Sequence, residues 1–214
     1  LKGPSLPRSA TQYQHLAQNY DRRISIGDRI REEAIAALEF EPGAVVIDIG
    51  CGTGTSFGAL LERGAGEIIA IEQSLEMYSQ ALDRVRKEGW RNVTLIQGAV
   101  EACELPASCD AALFSMIHDV MRSPIAIHNV FSNLRPGASV AIGGTMWLPW
   151  YRPITNLYLW LKVRKYVTTF EGFKRPWDLM EPSLDDFQLA RGVVFGAGYV
   201  ASGRRARRLR LPRA

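Results

Sequence analysis

At residues 45–49 a run of β-formers, "VVIDI", leads into Gly50, Gly52 and Gly54, three glycines within five positions. The segment "TSFGALLERG", which reads as a helix ended by Gly64, follows. This strand, glycine turn and helix constrain the fold more than any other feature. Glycine permits a steep turn and close approach of a ligand to backbone. The helix N-terminus beyond it presents unpaired N–H groups to negative charge. The turn is therefore suited to hold part of a cofactor against the main chain.

The pattern around it repeats. "EIIAIE" is a strand, and "SLEMYSQALDRVRKEG" is a helix that Ser74 can cap and Gly89 can end. "NVTLIQG" and "DAALFSMI" read as strands, "SPIAIHNVFSNLRPG" as a helix ended by Pro136-Gly137, and "ASVAIGG" as a strand. Upstream, residues 12–38 read as helix, with Ile24, Ile30, Ala34, Ile35 and Leu38 near helical spacing, before the turn "EPG" at 41–43. Continuous apolar strands alternating with helices mark a parallel sheet covered on both faces. Ligands in such sheets sit at the carboxyl ends of the strands. After Gly144 the chain becomes aromatic and proline-broken, "TMWLPWYRPITNLYLWLKVRKY". "KYVTTFEGF" and "GVVFGAGYVASG" then read as two strands closing the sheet. There is no internal repeat and no linker.

Composition narrows the chemistry. With 214 residues, 47% of them hydrophobic, the chain suits one domain with a sizeable core. No apolar run reaches the roughly 18 residues needed to span a bilayer. "LKGPSLPRSATQ" at the N-terminus has no apolar signal core, and because it does not begin with Met a segment upstream is left open. Cys51, Cys103 and Cys109 are odd in number and never spaced CxxC, which argues for a reducing cytoplasm and against a disulfide framework. His15, His118 and His128 form no HExxH pattern, so no metal site is expected. The net charge is +4, yet six arginines between 204 and 213 supply +6 of it, leaving −2 for the rest. A basic tail can meet RNA or an anionic membrane, but the body shows no companion basic patch with interleaved aromatics, and the plainer reading is a solvated strand edge.

The glycine spacing excludes two ligand classes and resembles the loop of a third. A nicotinamide fingerprint would be GxGxxG, and it fails at Thr55 counting from Gly50 and at Phe57 counting from Gly52. The GK[ST] of a phosphate-binding P-loop is absent. What is present, Asp48-x-Gly50-x-Gly52-x-Gly54, resembles motif I of the class I S-adenosylmethionine-dependent methyltransferases, and the likeness continues in order along residues 13 to about 203.

That resemblance implies a Rossmann-like α/β fold: seven strands, mostly parallel, helices on both faces, and an antiparallel last strand. It implies S-adenosyl-L-methionine as cofactor and S-adenosyl-L-homocysteine as product. Asp48 would face the methionine end of the cofactor, Gly50, Cys51, Gly52 and Gly54 would form its loop, and Glu72 would hold the ribose hydroxyls. An ionised carboxylate has two acceptor oxygens spaced for such a diol. Gln73 and Met77 would lie beside the adenine, with Ala99 and Val100 after the third strand. The family's acid is missing at Ala99, and Glu101 is a stand-in. Tyr20 or Tyr13 would close over the site from the N-terminal helix.

Methyl transfer from a sulfonium is an in-line displacement governed by alignment. The stretch "FSMIHDVMRSP", residues 114–124 at the end of the fourth strand, should face the methyl group, with Ser115 against the cofactor. His118 is the candidate general base, with an unperturbed pKa near neutrality, and lining the pocket is its alternative role. Asp119 would orient it or cap the next helix. His128, mid-helix, reads as structural. Trp147, Trp150, Tyr151, Tyr158 and Trp160 fall within fourteen positions, and an aromatic lid made of Trp147, Trp150 and Tyr151 would favour an apolar or aromatic small-molecule acceptor. Tyr158 and Lys162 form a YxxxK pair, read as packing because the dehydrogenase fingerprint is absent.

The expected layout is one domain over 1–214, with a helical cover at 1–40, the aromatic insertion at 145–164 and the basic tail at 204–214. The expected function is a cytoplasmic small-molecule methyltransferase. Rival readings are a phospholipid N-methyltransferase touching the membrane through the aromatic segment and the basic tail, a nucleic-acid methyltransferase or RNA-binding module using the arginine tail, with base-amine methylation disfavoured because [ND]PP[YF] is absent, and a non-catalytic cofactor-binding regulator. Oligomeric state is not legible.

Overall fold

The computed structural model describes residues 26–191 and 196–210. Its elements in chain order are α1 (Ile26–Ala37), β1 (Ala44–Ile49), α2 (Phe57–Glu62), β2 (Ala65–Glu72), α3 (Leu75–Glu88), β3 (Val93–Gln97) and β4 (Cys109–Ser115). These are followed by α4 (His118–Met121), α5 (Pro124–Asn133), β5 (Leu134–Thr145), α6 (Pro153–Val163), β6 (Leu184–Arg191) and β7 (Gly198–Arg205). The seven strands form one sheet in the order β3-β2-β1-β4-β5-β7-β6. The first five pair in parallel, and β7 lies antiparallel between β5 and β6. This is the expected doubly wound sheet with its reversed last strand.

Alternation along each central strand explains the two-sided core. Val46, Ile68, Leu113 and Ala141 face α1, α2 and α3, where Leu38, Phe57, Leu60 and Val85 are buried. Ile47, Ile49, Phe114 and Ile142 face the other way, onto Ile127, Val130 and Phe131 of α5 and onto Trp177 and Tyr199. Local signals set the helix ends as expected at α3. The Ser74 hydroxyl accepts from the Met77 N–H at 3.3 Å, and Gly89 takes the left-handed conformation at φ 70°.

Three expectations need correction. The helix before β5 stops at Asn133, ahead of Pro136-Gly137, and Leu134 is already extended. A proline disfavours helical backbone in the residue before it, so the chain straightens early. "KYVTTFEGF" is not a strand. Its apolar residues Val167, Phe170 and Phe173 recur every third position, not every second, and pack on Trp147 and Leu148 in a separate small core. The sixth strand is instead "LDDFQLAR", whose two adjacent acids hide it. Asp186 has a φ of 53° and the pairing with β7 slips between Asp185 and Gln188, a bulge on an edge strand. Within the helix expected at 12–38, α1 covers 26–37, and residues 12–25 lie outside the described residues.

The arginine-rich end divides. Arg204 and Arg205 belong to β7, where Arg204 pairs with Glu39 and the Arg205 Nε donates to the Phe131 carbonyl at 3.3 Å. Arg207, Arg208 and Arg210 follow beyond the strand. Because β7 is reversed, this end sits at the amino edge of the parallel strands, where Arg204 is paired with Ser139 of β5.

Candidate active site

A cavity opens at the carboxyl edge of β1, β2 and β4. Asp48, one residue before the end of β1, is buried and accepts a hydrogen bond from the Ser56 hydroxyl. Burial raises its carboxyl pKa to about 6, against the opposing pull of Ser56 and the Arg31 charge. The loop that follows turns through left-handed backbone. At Gly50 (φ 63°) a Cβ would lie 2.5 Å from the Ile117 side chain, so the close approach of β1 to the end of β4 needs glycine. At Gly52 (φ 59°), which lines the cavity, a Cβ would meet open space. The room beside that backbone is where a ligand can come close.

Glu72, the last residue of β2, closes the other side. One carboxylate oxygen accepts from the Gly52 N–H at 2.9 Å, the other from the Ser74 N–H at 2.7 Å. Burial raises its pKa, and these N–H groups oppose the rise. Each oxygen has a second lone pair, which suits a diol. Gln73, Met77 and Val100 line the same cavity, Met77 as buried apolar surface. A carboxylate, a glycine with space before it and an apolar thioether fit the ribose, backbone and adenine contacts that S-adenosylmethionine requires.

Beyond β4 the wall changes character. Ser115, Met116, Ile117, His118, Asp119 and Val120 line the cavity together with Tyr166. The His118 Nε2 lies 2.9 Å from the Glu171 carbonyl. A carbonyl only accepts, so Nε2 carries the proton and Nδ1 the lone pair. Burial lowers the His118 pKa to about 4, with the nearby Arg122 adding to the effect and the Glu171 hydrogen bond resisting it. The ring is neutral at physiological pH, but far less basic than an exposed histidine. Asp119 neither orients His118 nor caps the next helix. Its Oδ2 accepts from the Thr168 N–H at 2.8 Å, and Ser123 caps α5. Arg122 pairs with Asp178. Three anchors on and beside α4, at positions 118, 119 and 122, thus tie down the segment 168–178. The Ser115 Oγ, His118 Nδ1 and Asp119 Oδ1 are buried and have no protein hydrogen-bond partner.

Of the expected site residues, Asp48, Gly50, Cys51, Gly52, Glu72, Gln73, Met77, Val100, Ser115 and His118 come together around this cavity. Glu101 also lines it, whereas Ala99 does not: the Ala99 carbonyl starts a turn by accepting from Ala102 N–H at 3.0 Å. Gly54 is on the far side of the loop, against the Phe57 ring. The aromatic lid is not there. Trp147 stacks on Phe170 at 5.3 Å, while Trp150 and Tyr151 are 88% and 64% exposed. Tyr13 and Tyr20 lie outside the described residues. Tyr158 is exposed rather than packed, with the Lys162 Nζ 5.5 Å from its ring centre. His128 is an exposed residue of α5, and burial holds the Cys51 thiol well above its ordinary pKa, against a nucleophilic role. Arg31, Ser56 and Tyr166 escape sequence reasoning. Ser56 carries only the signal of a hydroxyl eight residues after an acid, and Tyr166 reaches the site through tertiary packing alone. Among the described residues no cluster of His, Cys, Asp or Glu could hold a metal ion.

Residues 46–137 match the protein family described as Methyltransferase domain. The chain is similar to Methyltransferase GfsG of Streptomyces halstedii, 31% identical over 127 residues, which cover 57% of this chain and 45% of that protein. It is also similar to demethylmenaquinone methyltransferase of Thermobifida fusca (strain YX), 32% identical over 126 residues, 53% of this chain and 52% of that one. The chain thus spans about half the length of these curated relatives. In fold it matches the N-methyltransferase NodS from Bradyrhizobium japonicum WM9 in complex with S-adenosyl-L-homocysteine, with a TM-score of 0.65 at 14% identity over 91% of this chain and 98% of that one. With the glycine loop, Asp48 and Glu72 arranged as above, these likenesses support a class I S-adenosylmethionine-dependent methyltransferase, with residues 46–137 matching its methyltransferase domain.

Proposed function

We propose that this chain methylates a small acceptor that presents an O–H or N–H group to the end of β4. The observation that carries the reading is the trio of partnerless atoms, Ser115 Oγ, His118 Nδ1 and Asp119 Oδ1, on a cavity wall shared with Asp48, Gly52 and Glu72. Buried polar atoms without partners are rare because each costs the desolvation of an unmade bond. Two of these three, the imidazole and carboxylate lone pairs, ask for a donor.

When bound, S-adenosylmethionine supplies a methyl group on a sulfonium, which passes in line to the acceptor heteroatom as the carbon–sulfur bond breaks. Glu72, Met77 and Gln73 hold the nucleoside end, and Asp48 faces the methionine end. His118 accepts a hydrogen bond from the acceptor at Nδ1 and so aims the heteroatom's lone pair at the methyl. With a conjugate acid near pH 4, His118 orients the proton more than it keeps it, and the proton released from the methylated heteroatom passes to bulk water as the product leaves. The strap at 166–173 and Tyr166 exclude water from the reacting atoms. A small-molecule acceptor is supported by the named substrate of the Thermobifida fusca relative.

The test is S-adenosylhomocysteine release with a panel of phenols, amines and carbon acids, using wild type and His118→Ala. Turnover of an O–H or N–H acceptor, with kcat lowered about tenfold in the variant, fits loss of one hydrogen bond. A loss of about 10²–10⁴-fold would make His118 a general base instead. Turnover confined to carbon acids, or to nucleic acid, overturns the reading.

A further inference from the structure

Of the nine large apolar side chains exposed among the described residues, seven fall between Trp150 and Leu161, in the segment that follows β5. The concentration is greatest on α6. Ile154, Leu157, Tyr158 and Leu161 recur at i, i+3, i+4 and i+7, the spacing by which an amphipathic helix normally buries its apolar stripe. Here that stripe points outward, with Ile154 83%, Leu157 57% and Leu161 46% exposed. The helix is seated by its other side. Leu159 and Val163 enter the small core with Phe173 and Ala197, and the Asn156 amide clasps the Leu148 backbone, accepting at 2.9 Å and donating at 3.0 Å. The outward stripe is therefore not a helix turned the wrong way; it is a second apolar face with no cover in this chain's described residues.

Charge says what fits it. From Thr145 to Phe170 there is no aspartate or glutamate, while Arg152, Lys162, Arg164 and Lys165 are all exposed. Lys162 reaches over Tyr158, and the Arg164 guanidinium lies 4.6 Å from the Trp160 ring centre. Aliphatic stems thus cover apolar surface while the charged heads stay outside, as such residues do at membrane interfaces. We infer that α6 and its flanks dock this edge of the molecule on an anionic lipid bilayer, the apolar stripe entering the headgroup boundary and the cations meeting phosphate. The cavity opens at the same edge, and Tyr166, three residues past α6, lines it. Docking would bring the methyl-transfer site to the interface. The arginines at the end of β7 sit at the opposite edge of the sheet and take no part.

The experiment is co-sedimentation of the full chain with vesicles of phosphatidylcholine alone and of phosphatidylcholine mixed with phosphatidylglycerol. Binding is expected only to the mixed vesicles, with a blue shift of tryptophan emission from Trp150 and Trp160. Ile154→Ser with Leu157→Ser should weaken it by about tenfold or more. Lys162→Gln with Lys165→Gln should do the same through charge, leaving S-adenosylhomocysteine binding unchanged as the control for folding. Arg207→Gln with Arg208→Gln should have no effect. The inference is overturned if the chain binds neither vesicle, if binding ignores lipid charge, or if the Ser variants bind as well as wild type. It is also overturned if the stripe instead holds two copies together, seen as a dimer in sedimentation velocity that the Ser variants dissociate.

Discussion

The two halves of the cavity are built by different means. On the β1–α3 side, the residues that shape the site are close in sequence: Asp48 with Ser56, Glu72 with Ser74, Ser74 with Met77. On the α4 side they are far apart. His118 meets Glu171, Asp119 meets Thr168, and Arg122 meets Asp178, separations of 53, 49 and 56 residues. The first half is a cradle that forms with its own strand and turn. The second is a strap fastened after the fact by three side chains of one short stretch. The difference teaches that cofactor affinity and acceptor handling should be separable by mutation.

The largest effect expected is Gly52→Val. A branched side chain would enter the ligand's space from a backbone at φ 59°, and calorimetry should find S-adenosylhomocysteine binding lost, by more than about 100-fold. Retained affinity would break the cradle half of the comparison.

Next comes pH, where the two halves should pull in opposite directions. Asp48 titrates near 6 in the folded chain, above its ordinary 3.8, so its stabilising contribution is complete below 3.8 and is lost as pH rises through 6. His118 titrates near 4, below 6.5, so its contribution is complete above 6.5 and is lost as pH falls through 4. At about 1.4 kcal/mol per pH unit, each is worth roughly 3 kcal/mol. Denaturant melts from pH 4 to 6.5 should show wild type losing stability relative to Asp48→Asn as pH rises, and gaining it relative to His118→Gln. Comparing each variant with wild type removes Glu72 and Asp119, whose pKa values are raised in the same direction as that of Asp48. Slopes of the same sign would show that one of the two is not buried as described.

Glu72→Ala should weaken S-adenosylhomocysteine by about 1.5–3 kcal/mol, the range for hydrogen bonds to a charged group. Unchanged affinity in a folded variant would assign the ribose to another residue. The smallest effect is Asp119→Ala, which frees the Thr168 N–H and should cost about 1 kcal/mol of stability. Limited proteolysis should then cut within 166–173 faster while cofactor affinity stays the same. A loss of cofactor affinity there would show that strap and cradle are coupled.

The same division explains what can be read from the chain alone. Gly50 and Gly52 are legible because a steep turn behind a strand calls for glycine, and Asp48 and Glu72 because they fall at the strand-end offsets of the family motif that the chain resembles. Ser74 and Gly89 are legible as the cap and the stop of α3. The strap is not. Thr168 and Glu171 act through backbone groups, which any residue carries, and Tyr166 matters only because α6 delivers it to the cavity. The tryptophans mislead because a ring at the carboxyl edge of a sheet can face inward or outward with the same composition. Strand β6 stays hidden because an edge strand with a bulge and two acids lacks the alternation that marks its neighbours.

The order β5-β7-β6 has a consequence for synthesis. β6 leaves the ribosome before β7, yet the only strand it pairs with among the described residues is β7. Until residues 198–205 emerge, β6 has no strand to bond to and β5 has an open edge, although the cofactor cradle is already complete. A nascent chain stalled before Gly198 therefore carries the residues of the cofactor cradle on an unfinished sheet, and a ligand that binds the cradle would favour its folding before the domain is closed.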